Sequence, residues 1–274
     1  MAAKLRPPGD VTGYQHPKCY ACGDSNCSTK ISKEHYFSAT LLRQIELNNT
    51  AKVAGLKWLK PETFRIVPLG GLVSHILCER HNHSLSPLDD AIGRFSEAIG
   101  EYDRKLCPST LNSAVEHQSF SGIDIERWML KCVIGLVASK NFNSRLKNEC
   151  INLLYGRTKW PKHWRLFFQS LPMQPIYHSS SFMVETLVDP AKNLVLAVKF
   201  VIRGIPFLLC LGRPDEPGSI GIWRPSAIVF KSDACEKTLS LNWDSNKHGE
   251  AVILNRRGTY DGLPPNWKEW ERKG

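Results

Sequence analysis

Residues 19–35 read Cys19-Tyr-Ala-Cys22-Gly23-Asp-Ser-Asn-Cys27-Ser-Thr-Lys-Ile-Ser32-Lys33-Glu34-His35, and a second short segment, Cys78-Glu-Arg-His81-Asn82-His83, answers it further along the chain. Two thiolates separated by two residues can reach one ion from a tight turn, and a following glycine permits that turn. Cys78 and His81 repeat the same spacing. Together the pairs make a tetrahedral set of Cys19, Cys22, Cys78 and His81, which suits a structural zinc ion and leaves no position open for water. Cys27 is a competing ligand, either replacing His81 or remaining a free thiol. The spacing predicts a zinc staple tying the segment before His35 to the segment after it.

That staple would bring Glu34-His35 close to Asn82. Hydrolysis of a phosphodiester needs a base to activate water and a cation to hold the phosphate and the leaving oxygen. Histidine suits the first task near neutral pH. A carboxylate and an amide oxygen suit a hard cation such as magnesium. Glu34, His35 and Asn82 supply that set.

With these residues in place, the segment resembles the HNH (ββα-metal) endonucleases, in particular a bacterial branch that carries zinc knuckles. The matching positions are Cys19, Cys22, Glu34, His35, Gly70, Gly71, Cys78, His81, Asn82 and Asp89, within residues 17–95. The resemblance implies that His35 is the general base, and that Glu34 and Asn82 hold a catalytic Mg2+ or Mn2+. It implies DNA as substrate, and a setting such as anti-phage defence. The implied fold is a β-hairpin followed by a helix, with strands near 36–41 and 73–77. The chain departs from the pattern in four ways, one being the long gap between Cys22 and Cys78. His81 stands where cysteine is usual, and Glu34 where Asp or His is commoner. The middle asparagine of the family has no clear counterpart, Asn48 and Asn49 being the nearest candidates. His83 is an alternative metal ligand or phosphate contact, or else a solvent-facing side chain in the first helical turn. Asp89 fits a residue that caps or braces the helix better than a ligand.

Bulk properties frame this reading. The chain has 274 residues, 42% hydrophobic and 23% charged, a balance that supports a packed core and excludes wholesale disorder. A formal net charge of +10 favours polyanionic partners. The most apolar run, 194–211, is broken by Lys199, Arg203, Gly204 and Pro206, so no membrane span is expected. The polar start of the chain has no signal-peptide core, so a cytoplasmic location is expected. The nine cysteines then read as thiols and metal ligands.

The polar stretch after Lys105 predicts a domain boundary, with an HNH module over 14–106 and an α+β domain over 110–265. Ser86-Pro87-Leu88-Asp89 reads as a helix start, followed by Leu88, Ile92, Phe95, Ile99 and Tyr102 on one face. Asp124 is expected to cap a second helix, with Ile125, Trp128, Met129, Cys132, Val133 and Leu136 turned inward, and a third helix is expected over 144–155. Runs at 184–188, 194–202, 207–211 and 227–231 predict a mostly antiparallel sheet, with turns at 189–190, 203–204 and 212–215. The fold class is α+β: a ββα-metal module with structural zinc, then helices followed by an antiparallel sheet. Glu126, Arg127 and Lys131 are expected to form pairs on an exposed helix face. Trp160, Trp164, Trp267 and Trp270 lie among cations and suit either base stacking or core packing. The second domain has no phosphate loop, nucleophile elbow or further metal cluster. It is therefore expected to regulate or target the nuclease, through a protein partner or activator. The alternative is a zinc-stabilised nucleic-acid-binding module without activity. Retention of Glu34, His35 and Asn82 favours the enzyme, because binding alone needs no general base.

Overall fold

A two-residue strand, β1 (Glu34–His35), is followed by helix α1 (Ala39–Ile45), a hairpin of β2 (Thr50–Ala54) and β3 (Phe64–Pro68), strand β4 (Val73–Ser74) and the long helix α2 (Glu79–Lys105). Strand β5 (Val115–Ser121) runs directly into helix α3 (Gly122–Ala138), and α4 (Glu149–Leu154) follows. Eight further strands follow among the described residues, β6 (Arg165–Phe168), β7 (Phe182–Asp189), β8 (Leu194–Ile202), β9 (Ile205–Cys210), β10 (Ile222–Trp223), β11 (Ala227–Lys231), β12 (Glu236–Asn242) and β13 (Val252–Asn255), and with β5 from before the helices they form two sheets. The computed structural model describes residues 2–45, 50–54, 64–105, 115–142, 144–162, 164–168, 182–212, 221–231, 236–244 and 248–255. Asn48, Asn49, Trp267, Trp270 and most of the 212–215 turn lie outside the described residues.

β1 and β4 pair antiparallel, Glu34 with Ser74 and His35 with Val73, and α2 begins a few residues later. The strands are thus shorter than expected and sit earlier on the first side. Tyr36 and Phe37 do not extend β1, because both turn into the core and Ser38 hands its hydroxyl to the Asp89 carbonyl at 3.3 Å as α1 begins.

Helix α2 does not start at Ser86-Pro87. It starts at Glu79 and carries Pro87 in its interior. Proline has no N–H for the carbonyl four residues back, here that of His83. The Ser86 hydroxyl donates to this carbonyl at 2.7 Å and replaces the missing bond. The Ser-Pro pair that resembles a helix start is therefore a repair within the helix.

Helix α3 is buried on almost every side. Such a helix must find partners for any polar side chain it carries. Its N-cap is Ser121, whose hydroxyl accepts from the Asp124 amide at 3.2 Å. Asp124 sits in the first turn instead, and its carboxylate accepts the Ala3 amide at 3.0 and 3.1 Å. Glu126 and Lys131, expected on an exposed face, are both inside. Glu126 meets Arg224 at 2.6 Å and accepts the Leu166 amide at 2.9 Å. Lys131 lies between Glu34 at 2.8 Å and Asp89 at 2.6 Å, and the Trp128 indole N–H donates to the second Asp89 oxygen at 3.2 Å.

The third helix is shorter than expected: residues 144–148 are not helical, and Arg145 forms a parallel bridge with Leu194. One sheet is antiparallel throughout, in the order β10-β6-β9-β8-β7. Its β8–β9 turn is Arg203-Gly204, both at positive φ (47° and 78°), the two-residue geometry that follows strand twist. The other sheet, β13-β11-β12-β5, is mixed: β11 pairs β12 antiparallel, whereas β13 and β5 join in parallel. The antiparallel expectation thus holds for one sheet and fails for the other.

The core does not divide at the expected boundary. Leu88, Ile92 and Phe95 of α2 share one cluster with Trp128, Phe200 and Phe207. The Phe95 and Phe207 rings stand edge to face at 6.1 Å. Trp160 and Trp164 are buried in the same cluster, which removes their rings from base stacking. No helix among the described residues is long and apolar enough to cross a membrane.

The buried Glu126–Arg224 pair gives a direct stability test. Arg224→Met leaves the Glu126 carboxylate without its cation, an expected loss of about 3–5 kcal/mol in urea denaturation. Glu126→Leu combined with Arg224→Met removes both charges and is expected to recover much of that loss. A single replacement costing under about 1 kcal/mol, the scale of an exposed pair, would contradict this placement.

Candidate metal centre

The residues around Cys19 turn twice. The Cys22 amide donates to the Cys19 carbonyl at 3.1 Å, and a single 3-10 turn runs over Cys22–Asp24. Ser25 then adopts a left-handed conformation (φ 51°) and reverses the chain. Cys27 returns inward, with its amide on the Tyr14 carbonyl at 2.9 Å. This double turn leaves Cys22 half-exposed and buries Cys19 and Cys27.

Cys78 lies at the start of α2, opposite Ile31 in an isolated bridge. His81 is one helical turn later, on the same side. The Cys19, Cys27 and Cys78 sulfurs stand 3.5, 3.7 and 3.2 Å from His81 Nδ1. All four donor atoms lie within 4.8 Å of one another, and all four residues are buried. In a tetrahedral zinc site, with Zn–S of about 2.3 Å and Zn–N of about 2.0 Å, sulfur and nitrogen donors lie roughly 3.5 Å apart. The donor set and its spacing fit such an ion. Among the described residues this is the one convergent group of three or more His, Cys, Asp or Glu side chains. The group that could hold an ion thus contains Cys27 in place of Cys22, and it keeps His81.

The electrostatics suit a cation. Burial pushes the Cys19 and Cys27 thiols up from their ordinary values, so neither ionises readily alone. Burial also acts on Cys78, but backbone N–H groups of His81 and Ser28 outweigh it and bring that thiol down. The helix start thus readies one thiolate, and an ion at the centre of the group would ionise the rest. Burial lowers the His81 pKa against the pull of Asp24 and so favours the neutral ring, the form a metal ligand needs. Nε2 of the ring faces Asp24 Oδ2 at 3.4 Å, and Asp24 is also paired with Arg157.

The remaining expected site residues fall on the β1–β4–α2 unit. Glu34 and His35 are neighbours on a strand, so their side chains leave on opposite sides. Glu34 points inward, 4% exposed, onto Lys131. His35 points outward and is half-buried. Burial lowers its pKa, Lys131 and Arg43 lower it further, and Asp89 opposes them. The lowered pKa favours the neutral ring, the form able to accept a proton. Asn82 is half-buried and His83 exposed, both in the first turns of α2. Asp89 sits mid-helix and braces α2 against α3 through Lys131 and Trp128. Gly70 and Gly71 lie exposed in a 3-10 turn, and no neighbouring atom lies within 4 Å of where their Cβ atoms would be.

Lys131 was missed as a site neighbour. The signal was present: a single lysine with Trp128-Met-Leu before it and Cys-Val-Ile after it has no wet face to occupy. Asp24 and Arg157 carried no comparable signal, because their meeting depends on the fold. No protein family, curated protein or solved structure matches this chain.

The two knuckle thiols can be separated by zinc content. Cys27→Ser is expected to lose the bound zinc of the purified protein, and Cys22→Ser to retain it, both read by atomic absorption. The reverse pattern would return Cys22 to the ligand set.

Proposed function

We propose that the chain is a metal-dependent phosphodiester hydrolase of the HNH type acting on DNA, with His35 as general base. The observation that carries this reading is the position of His35. It ends a strand that is paired to β4, four residues after Ile31 bridges Cys78 of the Cys₃His group, and it is half-buried, with burial lowering its pKa and so favouring the neutral imidazole. A neutral imidazole with one open side can take a proton from an attacking water. The net charge of +10 supports a polyanionic substrate.

The roles of its neighbours are adjusted to their surroundings. Glu34 is tied to Lys131, and using it as a metal ligand would break a buried ion pair. In this reading Glu34 positions the strand. A catalytic Mg2+ or Mn2+ would be held on the α2 side, with Asn82 and His83 the donors available there. The metal would stabilise the leaving oxygen and hold the phosphate. The portion of the chain after α2 would regulate or target cleavage.

The engagement of Glu34 also favours a second reading, a metal-stapled module that binds nucleic acid without cutting it. Plasmid nicking separates the two. Magnesium- or manganese-dependent nicking that EDTA abolishes, and that falls at least about 100-fold in His35→Ala, is the expected result. Its acid limb is expected below the ordinary histidine range: the lowered pKa keeps His35 deprotonated to lower pH, so the rate stays flat from neutrality down and falls only beneath that range. Retention of DNA on a gel without cleavage would select the binding module. Cleavage surviving in His35→Ala would remove His35 from the mechanism.

A further inference from the structure

The side of His81 facing away from the thiols is also built. Its Nδ1 faces three sulfurs, so an ion there would leave the ring proton on Nε2. Nε2 is buried, and the nearest acceptor described for it is Asp24 Oδ2, at 3.4 Å. The same carboxylate oxygen pairs with Arg157. The Arg157 guanidinium lies over the Tyr155 ring, 4.6 Å from its centroid, and the Tyr155 ring meets the His81 ring edge to face at 5.9 Å. Asp24 belongs to the knuckle turn, whereas Tyr155 and Arg157 follow α4, 133 residues away in sequence for the Asp24–Arg157 pair.

We propose that Asp24 is the outer partner of the metal centre, fixing His81 as an Nδ1 ligand, and that through Arg157 it makes metal loading and the docking of residues 155–157 on the knuckle one coupled equilibrium. The physical link is the ring proton. With an ion on Nδ1, Nε2–H donates to a carboxylate, a charge-assisted bond. Without the ion the proton can sit on Nδ1, which turns the Nε2 lone pair towards the carboxylate and loses that bond. The ion thus favours the state in which Asp24 faces His81, and Asp24 in that place holds Arg157 and Tyr155 against the ring. Coupling of this kind is reciprocal: whatever weakens docking weakens metal binding by the same factor. The competing account is a surface ion pair, since Arg157 and Asp24 are 34% and 19% exposed, and such pairs contribute little.

The inference rests on the Cys₃His reading of the metal centre and is independent of whether the chain cuts DNA. Its test uses the full chain with Zn2+ in competition against a chromophoric chelator, and with Co2+ as a spectroscopic probe. In the wild type, Co2+ is expected to give thiolate charge-transfer bands of a tetrahedral site. Asp24→Asn is expected to keep that spectrum and to weaken Zn2+ by about 10–100-fold. Arg157→Gln, which touches no donor atom, is expected to weaken Zn2+ in the same direction by a smaller factor. The double variant should be no weaker than Asp24→Asn, because Arg157 acts through Asp24. Asp24→Glu keeps the carboxylate and should recover part of the affinity, which separates this role from a folding defect. Asp24→Asn within twofold of the wild type, Arg157→Gln without effect, or losses that multiply in the double variant would overturn the coupling. A wild type that binds neither ion would overturn the metal centre itself, and the coupling with it.

Discussion

Three buried thiols and a buried imidazole converge at the junction of the knuckle and the start of α2. In apolar surroundings those groups repel charge, yet a cation among them ionises the thiols and gains four bonds at once. The regular backbone pairing around the site is short, so side-chain burial and any bound ion must supply the rest. β1 and β4 are two residues each, far below the size at which a two-stranded ladder is stable by itself. The position of His35 rests on its pairing with Val73 and on the packing of Glu34 against Lys131, and an ion held by the Cys₃His group would brace the same unit from the knuckle side.

The second support comes from α3. Lys131 is buried, and the two carboxylates that hold it charged outweigh the cost of burial. One carboxylate is on β1 and the other on α2, so the lysine fixes the angle between strand and helix. Glu126 does the same for the sheets, through Arg224 and the Leu166 amide. Asp124 holds the start of the chain at Ala3. A helix buried on almost every side thus carries Asp124, Glu126 and Lys131, and each of the three ties down a different part of the fold. Cutting the chain at the expected 106–110 boundary would separate Lys131 from both of its carboxylates.

Much of this was legible in the sequence, and the misses have particular causes. Strands β8 and β11 coincide with their apolar, β-branched runs, because burial on a sheet face demands those residues. β5 and β12, Val115–Ser121 and Glu236–Asn242, alternate apolar with polar and charged residues too sparsely to be noticed, and their parallel pairing is a non-local property. The cysteine and histidine cluster was visible, but the identity of one ligand was not. The Cys-x-x-Cys spacing reports a tight turn, and here a second turn at Ser25 carries Cys27 into the place expected for Cys22. Ser86-Pro87 misled because a helix start and a mid-helix repair use the same two residues. Arg224, distant in sequence from Glu126, could be paired with it only once the sheet was in place.

X-ray absorption at the zinc edge tests the central claim most directly, because it counts the atoms bound to the ion. The account predicts a first shell of three sulfurs at about 2.3 Å and one nitrogen at about 2.0 Å. A shell of four sulfurs would place Cys22 on the ion and remove His81, and a shell dominated by oxygen and nitrogen would mean that the buried thiols are not the ligands.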